Sequence, residues 1–153
     1  MVGELEVMSD REGAVVFGWV GPEVLYIQFV EYLTSALGMR FASRFEQQLL
    51  GEQKVQIFAD CSGLDSYDFP ARDALSRVLF SQRRRLTPSL ILTRTRVVEL
   101  GMQAIAAMLG SSLIEVNSSR AEFVARLDRA APAAWRSLRN PRAWVAAKPS
   151  LLP

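Results

Sequence analysis

The stretch KVQIFADCSGLDSYD, residues 54–68, decides the fold. Its first half contains a short apolar run, residues 55–59, with little alternation, which is typical of a strand buried on both faces. Asp60 ends this run, and the Ser-Gly pair at 62–63 has the residue types of a turn. We therefore predict a buried strand that ends at Asp60 and a loop that leads to a helix capped by Asp68.

Strands and helices alternate along the rest of the chain. Residues 90–92 and 113–116 are strand-like, and apolar residues at helical spacing lie between them and after them. Residues 5–8 and 14–20, joined by a polar turn, predict an N-terminal hairpin. Such alternation implies helical crossovers between parallel strands. We expect one α/β domain over residues 1–128, with a mixed, largely parallel sheet of about five strands and flanking helices.

The segment between the hairpin and the buried strand is predicted to be helical. A Gly-Pro pair ends the hairpin, and Tyr26, Val30 and Leu33 follow at the spacing of one helical face. We expect helix over most of residues 22–50. A stripe built on repeated four-residue steps drifts around a straight helix, so we also expect a bend or break near Gly38.

This segment is also rich in aromatic residues. It contains Phe29, Tyr32, Phe41 and Phe45, which is more aromatic surface than one helical layer readily buries. Large exposed apolar patches mark contacts between proteins. The sequence therefore predicts a homodimer.

Charge is distributed unevenly along the chain. Of 18 basic and 16 acidic residues, five basic and no acidic ones lie in residues 129–153, which leaves 13 basic and 16 acidic residues before them. A nucleic-acid-binding domain would carry its basic patch on the fold itself, so we expect no nucleic-acid partner. Trp135 and Trp144 lie among the arginines of this tail, and prolines interrupt it. We expect an accessory segment that contacts an acidic partner or a membrane surface; packing of Trp135 on the body is the open alternative.

The scarcity of cysteine and the absence of histidine limit the catalytic and metal sites that the sequence can form. Cys61 is the only cysteine and there is no histidine, which excludes an intrachain disulfide, the common zinc sites and histidine-dependent triads. We interpret Cys61 as a semi-buried structural cysteine. Asp60, Asp65 and Asp68 suit turns and caps better than magnesium or calcium binding. We see no signal peptide or membrane span, and expect a cytoplasmic protein with no cofactor, no metal and no enzymatic activity.

Asp60, Ser62, Gly63 and Leu64 in the loop are followed by Asp68 and the start of a helix. With the elements that follow, over residues 54–127, they resemble the STAS domain of anti-anti-sigma factors and its SpoIIAA-like relatives. A helix, strand, helix and strand follow the loop, and the final helix carries SSRAEFVARL. The resemblance implies a bacterial signalling module that binds a protein partner, controlled by phosphorylation of a Ser or Thr just after the second Asp of the loop. Phe69 occupies that position here.

The candidate site lies at the carboxyl ends of neighbouring strands, where open α/β sheets meet their ligands. We predict a non-enzymatic regulatory module that docks a partner through the loops after the strands ending at Asp60 and Arg94. Ser62 is the candidate for phosphorylation, which would add charge beside Asp60. The alternative is a small-molecule or lipid carrier of the SpoIIAA-like type. The predicted partner-binding residues are Asp60, Ser62, Tyr67, Asp68, Arg94 and Arg96.

Overall fold

A mixed β-sheet forms the centre of the structure, a computed structural model that describes residues 4–110 and 112–132. Within these residues the sheet has six strands that lie side by side in chain order. The strands are β1 (Glu6–Ser9), β2 (Gly13–Gly21), β3 (Val24–Leu33), β4 (Gln56–Tyr67), β5 (Ser89–Thr93) and β6 (Ile114–Asn117). The first three are antiparallel, and the pairs β3–β4, β4–β5 and β5–β6 are parallel.

Helices cover both faces of this sheet. The helices are α1 (Ser35–Gln48), α2 (Phe69–Ser81), α3 (Arg96–Leu109) and α4 (Arg120–Ala130). Each of the first three connects two neighbouring parallel strands, and all three pack on the same face, which we call the first face. The last helix packs on the opposite, second face. The predicted α/β class, hairpin and largely parallel sheet are confirmed, with six strands in place of about five.

The prediction of a helix that begins near Pro22 is wrong. Residues Val24–Leu33 form β3, and Tyr26, Val30 and Leu33 do not share a helical face. β3 lies between β2 and β4, and its first six residues are all buried, so its apolar run has no polar alternation to distinguish it from a buried helix. The true helix, α1, starts after Thr34, whose hydroxyl accepts a hydrogen bond from the N–H of Leu37.

The aromatic residues that suggested a homodimer belong to the core of a single chain. Phe29, Phe41 and Phe45 are buried between α1 and the first face. Phe41 contacts the rings of Phe17, Phe29 and Phe45 at centroid distances of 4.9, 5.7 and 5.5 Å. Tyr32 is half-buried and donates its hydroxyl to Asp68 at 2.6 Å. The argument for a dimer from exposed aromatic surface is therefore wrong. The homodimer itself stays a prediction.

α1 and α2 approach each other closely at one small pair. Gly38 lies inside a continuous α1, so the predicted break near it is wrong. A Cβ atom added at Gly38 would lie 2.7 Å from the Cα atom of Ala71 in α2. The glycine is needed for helix contact rather than for a break in the helix.

The C-terminal tail falls mostly outside the described residues. α4 continues to Ala130, and Ala131 is buried against the end of β2, so the described structure extends beyond residue 128. Residues 133–153, with Trp135 and Trp144, lie outside it, and the expected accessory role of the tail stays a prediction. None of the described helices is both long and apolar enough to cross a membrane.

We expect Gly38→Ala to lower the free energy of unfolding by about 1–3 kcal/mol, as overpacking does. The direction of the stability change is informative, because alanine is otherwise preferred over glycine in a helix by about 1 kcal/mol. Urea denaturation measures the change. Ala71→Gly in the same chain should restore part of the loss, whereas a Gly38→Ala protein more stable than wild type would contradict the close contact.

Candidate functional site

β4 is longer than the strand that follows it in the sheet. It pairs with β3 from Gln56 to Tyr67, but with β5 only from Phe58 to Cys61. The prediction that this strand ends at Asp60 is therefore wrong. Beyond Cys61, no described strand borders β4 on its β5 side. An open cleft of about 550 Å³ occupies this step in the sheet, lined by Ser62, Gly63, Asp65, Arg94 and Arg120.

Two irregularities let β4 continue through turn-forming residues. Opposite β3, one extra residue lies between Asp60 and Gly63, and another between Leu64 and Ser66. Bulges of this kind bend a strand and re-aim its side chains. At the first one, Asp60 Oδ1 accepts hydrogen bonds from the backbone N–H of Ser62 at 2.9 Å and from its hydroxyl at 2.6 Å. The acid and serine form a local turn inside the strand.

Asp60 is a buried carboxylate with a cationic partner. It is only 3% exposed. Its Oδ2 accepts a hydrogen bond from Nη2 of Arg120 at 3.2 Å, and the same guanidinium donates to the hydroxyl of Ser62. A buried charge is costly unless it is paired and hydrogen-bonded. Arg120 therefore fixes both Asp60 and Ser62.

Arg94 covers the unpaired edge of β4. Its Nε donates to the carbonyl oxygen of Ser62 at 2.8 Å, and its Nη2 donates to Asp65 at 2.9 Å. Covering or charging an edge keeps it from pairing with other chains. The side chains of Arg94 and Asp65 are 57% and 68% exposed, so their ion pair contributes about 0–1 kcal/mol. A competing carboxylate can replace Asp65 at low cost.

The remaining predicted site residues do not line this cleft. Tyr67 packs its ring against Gly101 in α3, where an added Cβ atom would lie 2.7 Å from the Cζ atom of Tyr67. Arg96 pairs with Glu99 in its own helix. The structure thus brings Asp60, Ser62 and Arg94 together and leaves Tyr67, Asp68 and Arg96 apart from them.

Asp68 lies at the junction of β3, α1 and α2. Its carboxylate accepts hydrogen bonds from the Tyr32 hydroxyl at 2.6 Å and from the Ser35 N–H at 2.8 Å. It occupies the N-cap position of α2, but its side chain makes no capping hydrogen bond to that helix. Asp68 instead ties the end of β3 and the start of α1 to the start of α2.

Sequence reasoning missed Arg120. The signal was available, because Ser119 and Glu122 have capping-box spacing, and the Glu122 N–H donates to the Ser119 hydroxyl at 3.2 Å. A helix that follows a parallel strand begins near the carboxyl edge of the sheet. Arg120, in its first turn, was therefore a candidate for the same edge as Asp60.

The geometry bears on three chemical hypotheses about this region: the role of Cys61, metal binding and phosphorylation of Ser62. Cys61 is fully buried, and burial first and the charge of Asp60 second raise its thiol pKa far above the usual range. Cys61 is therefore more deeply buried than the predicted semi-buried position, and a structural role agrees with this burial. Among the described residues, no three acidic or cysteine side chains converge on a point where a metal ion could bind. Ser62 is 8% exposed and hydrogen-bonded through its hydroxyl, so its phosphorylation, still a prediction, would require Arg120 to move away.

An apolar cavity of about 50 Å³ lies between the first face and its helices. Phe29, Cys61, Leu75 and Met102 are among the side chains that line it. Because one water molecule occupies roughly 10–15 Å³ by this measure, the space is that of a few waters. An acyl chain does not fit this conformation, so the cavity gives the predicted carrier alternative no support.

Comparisons with known proteins establish the fold. No protein-family model matches the chain, and no curated protein matches it. Among solved structures it is similar to an uncharacterized protein from Shewanella loihica PV-4, described as a DUF3478 family member with a SpoIIAA-like fold. The two share 14% identity with a TM-score of 0.59, over 78% of this chain and 98% of that one. The SpoIIAA-like fold implied by the sequence resemblance is confirmed, and membership of the STAS family does not follow from this likeness.

Asp68 should make stability depend on pH in the acid range. Its pKa is lowered mainly by the hydrogen bond from Tyr32, with the Ser35 N–H second and burial opposing. A carboxylate with a lowered folded-state pKa stabilises the fold above the unfolded pKa of about 4, and this contribution is lost as pH falls through the folded value. We expect Asp68→Asn to reduce stability at neutral pH and to flatten its decline below about pH 4.

Urea denaturation at a series of pH values measures this effect. Asp73→Asn, in the exposed ion pair with Arg77 on α2, is the matched control and should retain the wild-type decline. Equal slopes for the Asp68→Asn and wild-type proteins would show that Asp68 does not carry the pH dependence.

The two cleft arginines should differ in their effect on stability. Arg120→Ala leaves a buried carboxylate short of a donor and should cost about 1–3 kcal/mol. Arg94→Ala removes an exposed pair and should cost at most about 1 kcal/mol. Thermal and urea unfolding of the two variants test this order, and equal losses would contradict the distinction between a fixed and an exchangeable arginine.

Proposed function

We propose that this chain is a non-enzymatic, STAS-like regulatory module that docks a protein partner at the cleft beside β4. The observation that carries the proposal is the open cleft at the step in the sheet, flanked by the half-exposed side chains of Arg94 and Arg120. This position is the carboxyl edge of the parallel strands, where α/β sheets bind. The SpoIIAA-like fold of the similar structure agrees with such a module.

The chemistry of the cleft favours a partner with an exposed acidic side chain. A guanidinium has five N–H donors, and the hydrogen bonds of Arg94 described above use two nitrogen atoms. A carboxylate from the partner would replace Asp65 on Arg94, because that pair is exposed and weak. Arg120 would stay on Asp60, since its removal leaves a buried charge unpaired.

The same residues give little support to catalysis. The Ser62 hydroxyl donates to Asp60, but the charge of Asp60 is already matched by Arg120, so this acid is not placed as a free general base. The thiol of Cys61 is buried, and the sequence contains no histidine. A binding role therefore fits the cleft better than a hydrolytic one.

Affinity capture from a lysate of the source cells tests the proposal. Wild-type protein should enrich at least one protein that Arg94→Glu loses by about tenfold or more, because like charges across an interface are costly. Arg77→Glu is the matched control: it makes the same charge change on the exposed side of α2 and should retain that protein. A direct titration of the purified partner against the three proteins should give the same order.

Asp68 is unsuitable for this experiment, because it holds β3, α1 and α2 together and its loss would be confused with unfolding. Identical capture by wild type and Arg94→Glu, with both folded by circular dichroism, would rule out docking through Arg94. The homodimer prediction is separate, and light scattering at micromolar concentration tests it.

A further inference from the structure

Most of the exposed large apolar side chains lie in two rows, one on α2 and one on α3. On α2, Phe69 and Phe80 are 63% and 42% exposed, and on α3, Val97 and Met108 are 55% and 47% exposed. Phe80 follows Phe69 by 11 positions, and Met108 follows Val97 by the same number. Eleven residues make about three helical turns, so each row runs along one side of its helix for roughly 16 Å.

Tyr67, at the end of β4, shows that the two rows face each other. The Cζ atom of Arg72 lies 5.8 Å from the centroid of its ring, and Arg72 is one turn after Phe69 on α2. The same ring packs against Gly101, which is one turn after Val97 on α3. Tyr67 therefore stands between α2 and α3 on the side where both rows lie. We call the space between the two rows the α2–α3 groove.

The space beneath this groove is not filled by side chains. The apolar cavity of about 50 Å³ is lined by Leu75 of α2 and Met102 of α3, and also by Tyr67 and Arg72. At roughly 10–15 Å³ for each water-sized atom, the cavity has room for about four atoms, which is the number of carbon atoms in a leucine side chain. Closely packed helices leave few voids of this size. The groove thus has apolar walls and an apolar cavity below them.

The groove also carries positive charge. The Cζ atom of Arg72 lies 4.8 Å from the ring centroid of Phe69, and that of Arg83 lies 4.0 Å from the ring centroid of Phe80. Within residues 4–110 and 112–132, neither arginine belongs to an ion pair. α2 and α3 contain one acid each, and both acids pair with an arginine of their own helix. The charge of Arg72 and Arg83 is therefore available to a partner.

We propose that the α2–α3 groove binds an amphipathic helix of a partner protein, which places apolar side chains between the two rows and acidic side chains on Arg72 and Arg83. Helices that dock in grooves use apolar anchors on successive turns, and the rows are long enough for three turns. One anchor of the size of leucine enters the cavity when Arg72 turns away from Tyr67 toward the acid. The hydrogen bond that Arg72 gives up is weak, because its Nη1 atom lies 3.4 Å from the Tyr67 hydroxyl oxygen.

Charge argues against the two occupants that this chain could supply. Residues 129–153 carry five basic and no acidic residues, so they would bring like charge to the groove. A second copy that docks through the same surface would place Arg72 and Arg83 of both chains against each other, since a two-fold interface uses one patch on both subunits. An acidic helix of a different protein has the complementary charge.

The groove is distinct from the cleft beside β4. The cleft is lined by residues of β4 together with Arg94 and Arg120, and none of these belongs to either row. Binding in the groove therefore does not require docking at Arg94, and the two surfaces can be tested separately.

A titration of the ¹⁵N-labelled full chain with synthetic peptides, followed by NMR, tests the proposal. The probe is a helical peptide of about 16 residues, long enough to span the groove, with leucine along one side and glutamate along the other. The control peptide has lysine in place of each glutamate. We expect the glutamate peptide to shift the amide signals of α2 and α3 and to bind about tenfold more tightly or better than the lysine peptide. Nuclear Overhauser effects should connect its leucine methyl groups with those of Leu75 or Met102.

Variants on both walls locate the binding site. Phe80→Ser and Val97→Ser should each weaken binding of the glutamate peptide by about tenfold or more, and Arg83→Glu by about fivefold or more. Met39→Ser, at a side chain of α1 that is 57% exposed, is the matched control and should leave binding unchanged. A loss in Arg94→Glu as large as that in Arg83→Glu would overturn the proposal, because the peptide would then bind in the cleft.

Three further outcomes would overturn the proposal. One is equal binding of the two peptides, or amide shifts that lie outside α2 and α3. Another is sedimentation with anionic phospholipid vesicles that Phe80→Ser abolishes, without binding of the glutamate peptide, since the occupant would then be a membrane surface. The last is a dimer in light scattering that Val97→Ser converts to a monomer, since a second copy would then occupy the groove.

Discussion

The parallel pairing of β3 with β4 is the constraint on which the rest of the structure depends. Both strands are long, and they stay paired as far as Leu33 and Tyr67, whereas β5 stops at Thr93 opposite Cys61. The difference in length makes a step at the carboxyl edge of the sheet. α3 and α4 begin close to that step, and so the chain places Arg94 and Arg120 beside the unpaired part of β4.

Most of the alternating pattern was predictable because it depends on local sequence. The hairpin, the last two strands and helices α2 to α4 follow from turn residues, caps and apolar spacing. Gly110 is the C-cap residue of α3 and Ser119 the N-cap residue of α4. β3 was not predictable in this way. Strands on both sides and packing on both faces bury it, so the period that would identify a strand is missing. Its residues four apart fit a helix and a strand face equally well.

The site was predictable only in part, for a different reason. The residue types of Asp60, Ser62 and Gly63 usually mark the end of a strand, so local rules predicted that β4 ends at Asp60. In the folded chain two bulges accommodate these residues within β4. The buried carboxylate of Asp60 is paired with Arg120, which lies 60 positions away in the sequence. Pairing over such a distance has no local signature. The prediction that Asp60 and Arg94 lie at the same edge of the sheet was correct, because it follows from the sheet topology alone.

Asp68 shows why a motif position and a recognition position need not coincide. The acid that most resembles a family motif is engaged inside the fold, by Tyr32 and Ser35, and a partner could bind it only by breaking contacts that hold two helices to the sheet. Asp60 is similarly engaged by Arg120. The proposed docking at this edge would therefore use groups whose internal contacts are weak, and among the cleft residues described here the exposed pair of Arg94 and Asp65 meets that condition best. Selectivity for a partner would then depend on how well its acidic group replaces Asp65, while the buried charges keep the strand in place.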